Sequence, residues 1–226
     1  MKFISKSILL VVAIFPTLLF FSAFQSNFSK TSFSESKSTS KSILGKDRTV
    51  TIDKLPTTVE EFLEMRDKIS KTPEGGATTM IVALILYSQN PELGISCLTI
   101  AVDKQRLSKT TKNEGYKGYI VSKNDLNLIQ SQIKRSPYVP NSYIKGTKVD
   151  NGYKLPEGKL VFDYSTNAYS GDEKDGEIKL FIPSSGADSA RPLRVKKNDA
   201  GVWKASEWSS LIVGIRAPKV DDDDDL

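Results

Sequence analysis

The apolar residues follow a helical period in the first half of the chain and a period of two in the second half. The first predicted helix opens at a threonine that stands three residues before a glutamate, either Thr57 with Glu60 or Thr58 with Glu61. Both pairs have the spacing of a capping box. The apolar residues that follow share one helix face: Val59, Phe62, Leu63 and Ile69.

The second predicted helix is apolar on every side. Thr72 is its expected N-cap, Pro73 suits the first turn, and Glu74 lies at the positive end of the helix dipole. The run from 75 to 87 reads GGATTMIVALILY, which is too short to span a bilayer. The pattern therefore predicts a buried helix at the centre of the domain.

Two further helices follow. Asn90, with a proline and a glutamate directly after it, repeats the same capping pattern and begins a third helix that contains Cys97. A fourth helix is expected to begin near Ser122 and to end before Pro137, with an apolar stripe at Leu126, Ile129 and Ile133.

Strand-like alternation begins near residue 158. The alternating segments are 160–164, 177–182, 193–196 and 202–205, and Leu211–Ile215 supplies a more fully buried strand. Helices followed by strands with short links indicate an α+β fold. We expect an N-terminal cluster of about four helices packed on a C-terminal antiparallel sheet of about five strands.

The ends of the chain differ in composition from its body. A short basic segment and a 17-residue, mostly apolar run at 8–24 predict a signal peptide or N-terminal anchor over residues 1–25. Residues 26–49 are rich in serine and lysine, which predicts a flexible tether, and 219–226 form an acidic tail that we expect to be disordered. The folded domain is placed at 50–218. We therefore expect an exported protein that is periplasmic, secreted, or held at the inner membrane by residues 8–24.

Histidine is absent from the 226 residues, and Cys97 is the only cysteine. Nucleophilic systems that need an imidazole base are therefore excluded, as are histidine-ligated or cysteine-cage zinc sites. Cys97 is expected to be a small core residue rather than a reactive thiol. The formal net charge is +5, but the basic residues are scattered and match no nucleic-acid-binding signature. Nucleic acid is accordingly a disfavoured partner.

One acidic loop is a candidate metal site. The segment SGDEKDGE at 170–177 offers Asp172, Glu173 and Asp175 as oxygen ligands of the kind that Ca²⁺ prefers. The spacing does not match the EF-hand loop, and a polar hairpin explains the same residues. Calcium is the one cofactor considered, and no other is expected.

Two nearby segments carry candidate ligand contacts. The segment SSGADSARP at 184–192 contains Asp188, Ser189 and Arg191, and we interpret it as a strand connection shaped by an Asp188–Arg191 pair. It lacks the spacing of a phosphate-binding loop or a serine–lysine acylase. Glu207 and Trp208 form an aromatic-plus-carboxylate pair that suits a sugar or peptide ligand. Glu207 together with Asp188 or Asp172 is the alternative acid/base pair of a hydrolase.

Several segments together resemble an uncharacterised bacterial family of exported proteins that carries a domain of unknown function. The segments are TPEGG (72–76), YSQNPELG (87–94), PYVPNSY (137–143), YSGDE (169–173), IKLFIPSSGADSARP (178–192) and WKASEWSSLIVGI (203–215). The resemblance covers roughly 56–218 and implies export or envelope association. It implies no activity, so no catalytic residue is assigned from it.

Three functions remain open from the sequence. The leading interpretation is a non-catalytic binding or interaction module of the cell envelope, with an envelope ligand or protein as partner. Catalysis is therefore not expected, although the sequence does not exclude it. The alternatives are a carboxylate-based hydrolase of the envelope and a calcium-assisted adhesin. A membrane contact is expected only through the N-terminal segment, if that segment is not cleaved.

Overall fold

The structure, a computed structural model, describes residues 48–219. The signal or anchor at 1–25, nearly all of the tether and nearly all of the acidic tail therefore lie outside the described residues. The first strand, β1 (Arg48–Ile52), begins within the last two residues assigned to the tether.

A central helix, α2 (Pro73–Gln89), organises the fold. Every residue from Pro73 to Tyr87 is buried, including the polar ones. Thr72 accepts a hydrogen bond from the amide of Gly75, so the predicted N-cap is confirmed. The prediction of a buried central helix is also confirmed. Within residues 48–219, no helix combines the length and the apolar character needed to cross a membrane.

The other three predicted helices are also present: α1 (Val59–Ile69), α3 (Pro91–Ala101) and α4 (Lys123–Arg135). For α1, the structure selects Thr58 as the N-cap, since its hydroxyl accepts from the amide of Glu61. The Glu61 carboxylate accepts from the amide and hydroxyl of Thr57 rather than from Thr58. Asn90 and Ser122 cap α3 and α4 as expected.

The helices pack closely where glycines lie at their contacts. A Cβ atom built on Gly94 of α3 would lie 2.1 Å from the Cα atom of Tyr87 in α2. A Cβ atom on Gly75 of α2 would lie 1.8 Å from the carbonyl oxygen of Ile69 at the end of α1. Both glycines therefore allow backbone-to-backbone contact that a larger residue would prevent.

The strands form three small antiparallel sheets in the described part of the chain, so the expectation of one sheet of about five strands is wrong. β1 pairs with β4 (Leu160–Tyr164), and the short β2 (Leu107–Lys109) pairs with β3 (Tyr119–Val121). The third sheet has the order β5 (Glu177–Ile182), β6 (Arg191–Lys197) and β7 (Trp203–Glu207).

The sheet of β1 and β4 stays separate from the sheet of β5, β6 and β7 because a single β-bridge pairs them in the described part of the chain. Ser165, directly after β4, exchanges two backbone hydrogen bonds of 2.9 Å with Phe181 in β5. The chain then turns away into the loop that begins at Thr166. The coarser prediction, an α+β fold with antiparallel strands, is confirmed.

The predicted strand at Leu211–Ile215 is also wrong. Ser209–Ile212 form a 3₁₀ turn, in which the amide of Leu211 donates to the carbonyl of Trp208. The carbonyl of Leu211 accepts from the Tyr143 hydroxyl at 2.8 Å. Gly214 then adopts a positive φ of 66°. The Tyr143 hydroxyl and the 3₁₀ turn supply hydrogen bonds to this stretch of backbone. Consecutive apolar residues are therefore buried here without a partner strand.

Candidate functional site

One cavity brings together two of the sequence-predicted ligand residues, Glu207 and Trp208. It has a volume of about 230 Å³ and lies at the end of β7, beside β6. We call it the Trp208 cavity. Its lining residues are Lys179, Pro192, Leu193, Arg194, Glu207, Trp208, Ser209 and Ser210. The Ser210 hydroxyl donates to the Pro192 carbonyl, which fixes the 3₁₀ turn against β6.

The charged residues of the cavity come from the sheet face opposite α2. Along β5 and β6 buried apolar residues alternate with half-buried polar ones, and Lys179 lies directly across from Arg194 in the strand register. Arg194 lies 3.3 Å from a carboxylate oxygen of Glu177 and 3.3 Å from one of Glu207. Lys179 lies over the Phe181 ring at 5.7 Å and forms no ion pair among residues 48–219. The rim therefore carries one cation held by carboxylates and one that is available to a ligand.

Trp208 has a polar atom that the protein does not satisfy. The residue is 3% exposed, and its indole nitrogen Nε1 has no hydrogen-bond partner in the described part of the chain. Burying a donor without an acceptor is unfavourable by about 1–3 kcal/mol. Since Trp208 lines a cavity, an acceptor atom of a ligand or a water molecule would relieve that penalty.

The segment at 184–192 is held in place by hydrogen bonds from its first residues to Ser142 and Thr147. The Ser184 hydroxyl donates to the Ser142 hydroxyl at 2.8 Å, and the Ser185 hydroxyl lies 3.1 Å from that of Thr147. A Cβ atom on Gly186 would lie 2.2 Å from the hydroxyl oxygen of Tyr153. These serines act as structural contacts between two loops, and no lysine or carboxylate among residues 48–219 is bonded to them.

Asp188, Ser189 and Arg191 do not line the Trp208 cavity. The Asp188 carboxylate pairs with Arg216, and not with Arg191 as the sequence suggested. Arg191 instead donates to the carbonyl of Gly214 at 2.5 Å. Arg216 was missed because it lies 28 residues from Asp188, and no local pattern links the two. Of the five predicted ligand residues, Glu207 and Trp208 therefore line this cavity, and the other three do not.

The candidate calcium ligands do not converge. Glu173 pairs with Arg48 at 2.6 Å, and one carboxylate oxygen of Asp172 accepts from the amide of Lys174 at 3.0 Å. Asp175 belongs to the same 3₁₀ turn, Glu173–Asp175. Between residues 48 and 219 no group of three or more acidic, cysteine or histidine side chains is close enough to hold a metal ion.

Burial strongly shifts the pKa values of four groups in the described part of the chain: Cys97, Tyr143, Tyr164 and Lys204. Burial raises the pKa of the Cys97 thiol to about 12, which agrees with a core residue rather than a nucleophile. Burial, aided by the nearby charge of Arg66, lowers the pKa of Lys204 on β7 to about 8, and Asp103 opposes this shift. The Lys204 ammonium donates to the carbonyl of Ile100 at 2.5 Å, near the C-terminal end of α3. The sequence did not single out Lys204.

The shifted pKa of Lys204 predicts a pH-dependent stability. Its folded-state pKa lies below the ordinary lysine value, so between about pH 8 and 10.5 the unfolded chain binds more protons than the folded one. The free energy of unfolding contributed by Lys204 therefore rises with pH across this window. Below pH 8, Lys204→Met should be more stable than wild type by about 2 kcal/mol, and the gap should close as pH rises towards 10.

Urea unfolding of both proteins from pH 7 to 10 checks this prediction. The contribution of Cys97 has the opposite sign above pH 9, but it is present in both proteins and cancels in their difference. A difference that stays constant across the window would contradict the shifted pKa.

The sequence did not predict a second cavity. It has a volume of about 370 Å³ and lies between β1 and α1, with Ile52, Met65 and Ile69 among its apolar lining residues. Its charged lining residues include both signs, and Lys54 and Glu61 pair with each other at 2.9 Å. No polar side chain lining this cavity is left buried without a partner, in contrast to Trp208.

The comparison with protein families identifies one family. Its model, described as a domain of unknown function (DUF6935), matches residues 54–219, and the chain therefore belongs to this family. The match confirms the expected domain of unknown function over almost the range that the resemblance indicated. No curated protein and no solved structure matches the chain.

Proposed function

We propose that this member of the DUF6935 family is an exported, non-catalytic binding domain whose Trp208 cavity holds a small saccharide with a carboxylate group. The observation that carries the proposal is the indole N–H of Trp208, a residue that lines the cavity: this nitrogen is buried and has no acceptor among residues 48–219. A ligand oxygen would supply that acceptor. Export is inferred from the basic start and the apolar run at 8–24.

The charges of the cavity favour an anionic ligand with hydroxyl groups. Lys179 would bind the ligand carboxylate directly. The guanidinium of Arg194 would give up its contact with Glu207 and donate a second hydrogen bond to the ligand. The Glu207 carboxylate is the natural acceptor for a sugar hydroxyl. The cavity is smaller than the typical range for ligand sites, about 300–1,000 Å³, so it suits one sugar ring rather than a long polymer.

The arrangement favours binding over hydrolysis. A glycosidase needs two carboxyl groups about 5–10 Å apart across one bond. Neither proposed partner of Glu207 shares its cavity, since Asp188 pairs with Arg216 and Asp172 belongs to the 170–177 loop. Glu207 itself is engaged by Arg194 at 3.3 Å. These contacts argue against the two acid/base pairs that the sequence offered, Glu207 with Asp188 and Glu207 with Asp172.

Calorimetric titration with galacturonate, compared with the neutral sugar galactose, tests the proposal. We expect wild type to bind galacturonate at least about tenfold more tightly than galactose, because a charge-assisted hydrogen bond is worth about 1.5–3 kcal/mol. Arg194→Gln should weaken galacturonate binding by about tenfold. Trp208→Phe, which keeps the ring but removes the N–H, should weaken both sugars by about threefold to tenfold.

Arg135→Gln is the matched control, because Arg135 lies on α4 and Gln132 is the one residue in the described part of the chain to which it donates. It should leave both affinities unchanged. Equal binding of the two sugars, or an Arg194→Gln protein indistinguishable from this control, would refute the proposed ligand. Hydrolysis of a glycoside or ester panel by wild type, lost in Glu207→Gln, would instead establish the hydrolase alternative.

A further inference from the structure

The hairpin of β2 and β3, together with the residues that directly flank it, carries a cluster of cations that the Trp208 cavity does not use. Five of its six cationic side chains are exposed lysines, and Arg106 is half-buried. The six are Lys104, Arg106, Lys109, Lys112, Lys117 and Lys123. Three acidic residues lie beside these cations: Asp103 is buried, Asp125 lies 3.7 Å from Arg106, and Glu114 is exposed. The hairpin is therefore a strongly basic surface, which we call the basic hairpin.

The tip of the basic hairpin combines lysine with tyrosine. Tyr116 and Tyr119 exchange backbone hydrogen bonds of 2.8 and 3.0 Å around a two-residue turn. Both turn residues have positive φ, 49° at Lys117 and 77° at Gly118, as a type I′ turn requires. Asparagine or glycine would fit the first position better. A lysine is nevertheless held there, with its ammonium 5.3 Å from the centre of the Tyr116 ring.

The hairpin is anchored to the body of the domain, so its tip presents a fixed surface. The Ser96 hydroxyl of α3 donates to the carbonyl of Gly115 at 2.9 Å. Arg106 donates from Nε to the carbonyl of Ser206 beyond the hairpin base, at 2.8 Å. Tyr119 is 40% exposed, which is high for a tyrosine in a paired strand. An aromatic ring and several ammonium groups thus project from one rigid tip.

We propose that the basic hairpin binds the surface of a membrane that contains anionic phospholipids. Lysines near such a surface each add to the electrostatic attraction, and tyrosine favours the level of the lipid headgroups. A nucleic-acid site would favour planar guanidinium donors, whereas five of these six cations are lysines. This contact would add to any made by the N-terminal segment.

Vesicle co-sedimentation of the full chain tests this inference. The N-terminal segment, with its basic start and its apolar run at 8–24, is the same in every variant, so the quantity compared between variants is the gain in partitioning from pure phosphatidylcholine to vesicles with about 30% phosphatidylglycerol. Replacing Lys109, Lys112 and Lys117 together by Gln should reduce that gain roughly 100-fold at about 0.05 M salt, and little of the gain should remain for wild type at about 0.5 M.

The matched control replaces Lys71, Lys134 and Lys154 by Gln, which removes the same charge from exposed positions outside the hairpin. Its gain should fall less than about fivefold, because these lysines lie outside the basic hairpin. Tyr119→Ser should lower partitioning severalfold at both salt concentrations. Equal losses in the two triple variants would overturn the proposal. So would a hairpin variant that loses affinity for a mixed-sequence oligonucleotide while its vesicle binding stays at the wild-type level.

Discussion

Gly94→Ala should destabilise the domain by about 3 kcal/mol or more, although alanine is ordinarily the better helix residue by about 1 kcal/mol. The new methyl carbon would lie 2.1 Å from the Cα atom of Tyr87 and 2.5 Å from its amide nitrogen. Backbone atoms cannot rotate away as a side chain does. The substitution must therefore push α3 away from α2, the buried helix on which the rest of the domain packs.

Urea unfolding followed by far-ultraviolet circular dichroism measures this loss. Asn127→Ala is the matched control, since it introduces the same residue at an exposed position of α4 and should change the free energy of unfolding by less than about 0.5 kcal/mol. If Gly94→Ala unfolded within about 1 kcal/mol of wild type, the close approach of the two helices would be wrong.

Arg48→Met should also lower the free energy of unfolding by about 3 kcal/mol, because it leaves a buried carboxylate without its partner. Glu74 is 9% exposed in the first turn of α2, and its carboxylate pairs with Arg48 of β1. Without the guanidinium a charged group remains buried with no partner, a situation that typically costs 3–5 kcal/mol. The dipole of α2 stabilises the Glu74 carboxylate in part and keeps the expected loss at the lower end.

A double-mutant cycle separates the ion pair from simple packing. Glu74→Gln in the Arg48→Met background removes the uncompensated charge, so it should restore at least half of the lost free energy of unfolding. Lys54→Met is a useful comparison, because Lys54 also pairs with a glutamate, Glu61, but is largely exposed and should cost well under 1 kcal/mol. Strictly additive effects of the Arg48 and Glu74 substitutions would argue against the pair.

The helices were predictable because their signals are local. Thr58, Thr72, Asn90 and Ser122 each accept a hydrogen bond from the amide three residues on, and that spacing is written in the sequence. The strands were harder. RTVTI at 48–52 alternates as a strand should, but it follows a serine-rich segment and its partner lies more than 100 residues away. The division into three sheets depends on such distant pairings, which no local pattern specifies.

The candidate site was predictable only in part for the same reason. Glu207 and Trp208 are neighbours in sequence and share a cavity, whereas Asp188 lies across from Arg216 at the end of the domain. The alternation along 177–182 and 193–196 is a local signal that could have identified Lys179 and Arg194 as residues on the outward face of the sheet. The unsatisfied indole N–H of Trp208 could not be predicted from such a local signal, because it depends on every atom packed around the ring.

The pairing of β1 with β4 has a consequence for how the chain is made. Ile52 pairs with Leu160, so β1 emerges from the ribosome about 110 residues before its partner. At about 5–20 residues per second, this strand waits roughly 5–20 s with open backbone groups and exposed apolar side chains. Arg48 at its start would meet Glu74 during that interval, as soon as α2 forms. The ion pair is thus suited to holding the first strand in place on the nascent domain until synthesis reaches the strand that completes it.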